Sequence, residues 1–165
     1  MLENNTNLAE TEGTQHVNPT EIDEAVTVDT QFGPMTFGKE QTVHFPTGLL
    51  GFGGVHEFGI GNLPDPAFGN FKLLKSLDDS GLGFLVLPLE ALPDHIHEDD
   101  LKQAYDAQAI ALEDLAVLLI VTVHKGAEKT TLTVNLRAPI LIDIKLHKAV
   151  QHVLPNAAYP IRHEI

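Results

Sequence analysis

Leu115-Ala116-Val117-Leu118-Leu119-Ile120-Val121-Thr122-Val123 is the stretch on which the fold turns. Eight of its nine residues are apolar and three are valines, yet it is half the roughly 18 residues a membrane helix needs. A short β-branched run without alternation fits a central strand buried on both faces. Downstream, His124 to Lys129, with Gly126, turns the chain back into Thr130 to Leu136, where Leu132, Val134 and Leu136 share a face. Pro139 interrupts pairing before Ile140, Ile142 and Ile144 line up, and Val150 to Leu154 offers a last strand. Upstream, Leu101, Ala104, Tyr105, Gln108, Ala109 and Leu112 form one helical stripe behind Glu98-Asp99-Asp100, carboxylates that suit a helix N-terminus. Phe71 to Leu77 and Phe84 to Leu87 make a hairpin across Asp78-Asp79-Ser80-Gly81. Further back, Gln41 to Phe45 alternates, and Val26 and Val28 precede a turn at Phe32-Gly33-Pro34 into Met35 to Phe37. Between them, residues 46 to 69 hold seven glycines and three prolines, which predicts turns and short extended pieces. Strands at hairpin spacing with one short helix predict a mainly β fold, a small antiparallel β-barrel-like domain over residues 25–165. Residues 1–24, rich in Asn, Thr and Glu and without period, are expected to form a disordered acidic N-terminal extension.

The 165 residues contain 10 Lys+Arg against 23 Asp+Glu, a formal charge of −13, with 43% hydrophobic residues and no cysteine. That composition suits a globular domain and excludes thiol catalysis, zinc-thiolate sites and disulfides. Nucleic-acid affinity rests on Lys and Arg displacing counterions, so direct DNA or RNA binding is not expected, whereas a basic protein partner would be attracted. Charge is uneven along the chain. Residues 1 to 38 carry seven carboxylates and no Lys or Arg, while residues 137 to 163 carry Arg137, Lys145, Lys148 and Arg162 against Asp143 alone. The start, MLENNTNLAE, has neither a basic nor an apolar segment, so no secretory signal and a cytoplasmic location are expected.

Catalytic signatures are sparse. The two serines, Ser76 and Ser80, lie outside any Gly-x-Ser-x-Gly elbow, and Gly51-Phe52-Gly53-Gly54 lacks the third glycine of a dinucleotide loop. His95-x-His97, beside Asp94, Glu98, Asp99 and Asp100, is the best metal candidate by residue type, although Pro93 and the acidic helix start also fit a solvated loop. Two alternatives therefore stand beside a binding module: a small metal-dependent hydrolase using His95 and His97, and a small-ligand-binding β-barrel. No cofactor motif is present.

The run Val43-His44-Phe45-Pro46-Thr47-Gly48-Leu49-Leu50-Gly51-Phe52 resembles the opening motif of the flagellar assembly factor FliW family. Phe32-Gly33 is similar to that family's first turn, and Ser76-Leu77-Asp78-Asp79 with Phe84-Leu85-Val86 to its central hairpin. Leu119 to Val123, Thr133 to Ile140, Val150 to Leu154 and Tyr159-Pro160-Ile161-Arg162-His163 follow in family order, so the resemblance spans residues 25–165. It implies a small β-barrel-like fold, no catalysis, and binding both of the RNA-binding translational repressor CsrA and of flagellin. In that scheme cytoplasmic flagellin titrates the factor, and its export frees the factor to sequester CsrA and relieve repression of flagellin translation. Polar motif residues that a barrel does not need for packing are the candidate contacts: Asp78, Asp79, Asn135 and Arg162, with the acidic group Asp94, Glu98, Asp99 and Asp100 for charge complementarity. A strand-end hydrogen bond competes for Asn135, and an ion pair for Arg162.

Overall fold

The computed structural model describes residues 25–165. The acidic extension expected at residues 1–24 lies outside them. In chain order come β1 (Val26–Thr30), β2 (Gly33–Phe37), β3 (Thr42–His44), β4 (Glu57–Asn62), β5 (Lys72–Ser76), β6 (Gly83–Pro88), α1 (Glu98–Ala107), β7 (Leu115–Lys125), β8 (Thr130–Val134), β9 (Ile140–Asp143), β10 (Lys148–Gln151) and β11 (His163–Glu164).

The long β7 organises the sheet. Its first residues, Leu115 to Leu118, pair with β9; Leu118 to Val121 pair with β6; and Val121 to Lys125 pair with β8. From β6 the antiparallel order continues through β5, β4 and β3. β10 bridges β3 in parallel at Lys148 and His44 and pairs antiparallel with β9, which returns to β7 and closes the ring. The fold is thus mainly β and barrel-like, as expected, with one parallel junction in an otherwise antiparallel ring.

Two apolar clusters explain why the central run lacks alternation. Leu118 faces the ring interior with Phe45, Phe58, Leu74, Val86 and Ile140. Leu119 and Val121 face the opposite side with Val134, Leu136, Leu141, Ala104 of α1 and Tyr159. When both faces of a strand are covered, period-2 patterning disappears.

Four local expectations are refined. β4 runs through the glycine-rich region because Gly59 and Gly61 leave room for the Phe37 ring and the Met35 methyl of the β1–β2 hairpin. α1 ends at Ala107; Ala109 has φ +55°, and the amides of Ala109 and Ile110 donate to the Asp106 and Tyr105 carbonyls, so Leu112 leaves the helical stripe. β9 stops at Asp143, whose carboxylate accepts from the Lys145 and Leu146 amides, and Ile144 turns outward at 52% exposure. The last strand over this region is Lys148–Gln151, with Leu154 buried in the segment beyond it.

Candidate protein-binding surfaces

The β5–β6 loop is organised from its own side chains. Ser76, fully buried, accepts from the Asp78 and Asp79 amides at 3.2 and 2.8 Å. Lys75 donates to the Ser80 and Leu82 carbonyls, and the Asp79 carboxylate accepts from the Gly81 amide at 2.9 Å. Asp78 reaches across to β4, where Oδ2 accepts from the Glu57 amide at 2.9 Å and the His56 amide at 3.0 Å. Those two backbone donors, Glu57 first, hold its carboxyl below the ordinary carboxylate value. Asn135 is also employed internally: Oδ1 accepts from the Arg137 and Ala138 amides, both at 3.0 Å, turning the chain out of β8. This is the strand-end bond that competed with a contact role.

Tyr159 joins the helix to the C-terminal segment. It is 5% exposed; its hydroxyl accepts from the His97 amide at 3.0 Å and donates to Asp100 Oδ2 at 2.5 Å. Asn156 Nδ2 donates to the same carboxylate at 3.3 Å. The Tyr159 bond, with Asn156 second, holds the Asp100 carboxyl below its ordinary value, while burial, then the Asp100 bond, pushes the Tyr159 phenol up. Arg137 secures the other side of the segment by donating to the Tyr159 and Ala157 carbonyls.

What remains on the surface is narrower than the eight predicted residues. Among the described residues, the side chains of Asp94, Glu98 and Asp99 make no hydrogen bond or ion pair, and all three are exposed beside the N-terminus of α1. Arg162 is exposed and forms no ion pair with another described residue. Asp94, Glu98, Asp99 and Asp100 are therefore one neighbourhood, whereas Asp78 and Asp79 sit on the β5–β6 loop and Asn135 at the end of β8.

Among the described residues, His95 and His97 do not come together with a third metal-ligating side chain. His95 Nδ1 donates to the Pro93 carbonyl at 2.9 Å and its ring packs on His163, while His97 contributes its backbone amide to Tyr159. Among the described residues no group of three or more His, Asp and Glu side chains is placed to hold a metal ion, so the hydrolase alternative lacks a donor set. The ring interior is occupied by Phe45, Phe58, Leu74, Val86 and Ile140, each with no exposed surface, which leaves the small-ligand alternative no room there. Among the described residues no helix is long and apolar enough to cross a membrane.

The family model for FliW protein matches residues 26–165. The chain belongs to the FliW family. Its similarity to curated flagellar assembly factors FliW runs at 36% identity over 141 residues to that of Nitratidesulfovibrio vulgaris, covering 82% of this chain and 77% of the relative. The factor of Bacillus pumilus is 34% identical over 134 residues, covering 79% and 89%. Among solved structures, a crystal structure of the flagellar assembly factor FliW superposes with a TM-score of 0.63 at 26% identity, covering 85% of this chain and 95% of that one. The matched region contains both the buried Tyr159 and the exposed, unpaired carboxylates Asp94, Glu98 and Asp99.

The sequence reading missed a second surface of this FliW-family chain. An apolar groove at the C-terminal end of α1 is lined by Pro46, Thr47, Ile110, Leu146, Lys148 and Val150, among others. Its residues come from stretches far apart in the chain, around 46–47, 108–110 and 141–150, so no local pattern marks it.

Proposed function

We propose that this flagellar assembly factor acts without catalysis, in the cytoplasm, by binding a CsrA-type RNA-binding translational regulator and, alternately, flagellin. The observation that carries the reading is the set of unpaired carboxylates Asp94, Glu98 and Asp99 at the N-terminus of α1, on a chain of net charge −13. A protein that holds RNA must present Lys and Arg, and such a surface is steered toward this one while RNA is repelled. Asp100 is fixed by Tyr159 and shapes the patch; Asp78 and Asn135, away from it, hold the β5–β6 loop and the turn after β8; Asp79 and Arg162 are exposed candidate contacts. Residues 1–24 add six carboxylates and no Lys or Arg, which strengthens steering toward a basic partner.

A competition experiment tests this. A complex of the protein with CsrA is formed at low salt, flagellin is added, and the fractions are resolved by size-exclusion chromatography. Release of CsrA with appearance of a flagellin complex is the expected result. Failure of the CsrA complex to form, or CsrA retained at saturating flagellin, contradicts it.

A further inference from the structure

We infer that the apolar cleft between the start of α1 and the first half of β7 anchors the basic partner, by taking one apolar side chain from a segment of that partner flanked by Lys or Arg. This rests on the binding of a basic protein proposed above and adds what that protein inserts and where.

Three elements line the cleft: Leu115 and Val117 of β7, Leu89 of the 3-10 turn Leu89–Ala91 that follows β6, and Ile96 and Leu101 around the start of α1. Leu115 and Val117 carry on the face of β7 that holds Leu119 and Val121 in the core, but they, Leu89 and Leu101 are only half-buried. The cavity they line measures about 290 Å³, at the lower edge of the roughly 300–1,000 Å³ of small-molecule sites, which suits a side chain better than a whole ligand. Its walls stand before anything binds. The Leu92 amide donates to the Leu89 carbonyl at 2.8 Å and the Leu101 amide to the His97 carbonyl at 3.0 Å, while the Tyr159 hydroxyl holds His97 and Asp100. A preformed site loses little freedom on binding, so the apolar contact is retained as affinity.

Charge complementarity selects the occupant. Glu90 and Asp94 complete the lining, both exposed, and no Lys or Arg lines the cleft. Glu98 and Asp99 follow on the adjoining first turn of α1. None of these four carboxylates makes a hydrogen bond or ion pair among the described residues, and Lys102, the residue after Leu101, is taken up by Asp106. Apolar surface framed by unpaired carboxylates fits an apolar anchor set between cations. A second copy of this chain, at −13, is repelled from it, as are the phosphates of RNA or of a lipid surface. The two features act on different steps: the carboxylates steer approach and raise the association rate, whereas the filled cleft slows dissociation.

The test is methyl NMR of the wild-type full chain titrated with CsrA, alongside association and dissociation rates for Leu89→Ala and for Glu90→Lys with Asp94→Lys, each checked by thermal unfolding. The expected result is shifted methyl signals of Leu89, Ile96, Leu101, Leu115 and Val117, with those of Leu49 and Leu74 in the ring interior unchanged. Leu89→Ala is expected to speed dissociation about tenfold and to leave the salt dependence as it was; the double charge reversal is expected to slow association about tenfold at low salt and to flatten that dependence. Wild-type binding with the cleft methyls unmoved, or with Leu89→Ala folded and dissociating at the wild-type rate, overturns the inference and leaves the proposed function standing. No wild-type binding overturns both. Cleft methyls that shift with the concentration of this protein alone assign the cleft to a second copy and likewise overturn the inference.

Discussion

A β-carbon on Gly59 would lie 2.4 Å from the ring of Phe37, so the β1–β2 hairpin seats on β4 only because position 59 has no side chain. Phe37 is fully buried in that arrangement. Gly59→Ala is expected to destabilise the protein by about 1–3 kcal/mol, since overpacking forces the ring or the strand to move. Chemical denaturation measures it. Combined with Phe37→Leu, which withdraws the ring, the loss should be smaller than the sum of the two single losses.

Tyr159 ties the start of α1 to the C-terminal segment through a single hydroxyl. Tyr159→Phe keeps the ring in the core and removes that oxygen, leaving the His97 amide and the Asp100 carboxylate to water. A loss of about 1–2 kcal/mol is expected, with faster amide exchange at His97 than at residues of β7. An unchanged His97 exchange rate would show that the helix start is held by something else.

Ala109 holds a left-handed conformation, φ +55°, at the end of α1. An L-residue there costs about 1–2 kcal/mol, and glycine gives back part of that gain through its freer unfolded chain. Ala109→Gly should therefore stabilise the fold by about 0.5–1 kcal/mol, read as a higher denaturant midpoint at unchanged slope.

Asp78 has its carboxyl held below the ordinary value near 3.8 by the Glu57 and His56 amides. A depressed carboxyl contributes stability that is complete above the unfolded value and is lost as pH falls through the folded one. Because the side chain is exposed, the contribution is about 0.5–1 kcal/mol after screening by water. The stability difference between the wild type and Asp78→Ala should be constant near neutral pH and should shrink below about pH 4. A difference that persists unchanged at lower pH would assign the loss to packing.

The ring was legible where burial marked a short local segment. The doubly covered Leu115–Val123 run, by its unbroken apolar character, and the β5–β6 hairpin, by its turn, were readable because neighbouring residues in sequence share one environment in space. β4 was obscured because Gly59 and Gly61, breakers by type, serve a close approach from a distant strand. Ala109 continues the helical stripe in sequence, but the turn that ends α1 is set by the Tyr105 and Asp106 carbonyls. Asp78 and Asn135 have the polarity of contact residues, but their side-chain oxygens are taken up by backbone amides, which no sequence pattern reveals. The groove was unreadable for the same reason, since residues near 46, 110 and 148 meet only through ring closure.

The proposed function requires a negatively charged surface that attracts a basic partner. Calorimetric titration with CsrA at about 0.05 M and about 0.5 M salt tests it most directly, because steering charges are screened beyond roughly 10 Å at 0.1 M. The expected result is a complex at low salt that weakens markedly at high salt and is weakened further by Glu98→Lys with Asp99→Lys. No complex at low salt, or one indifferent both to salt and to those reversals, would contradict it.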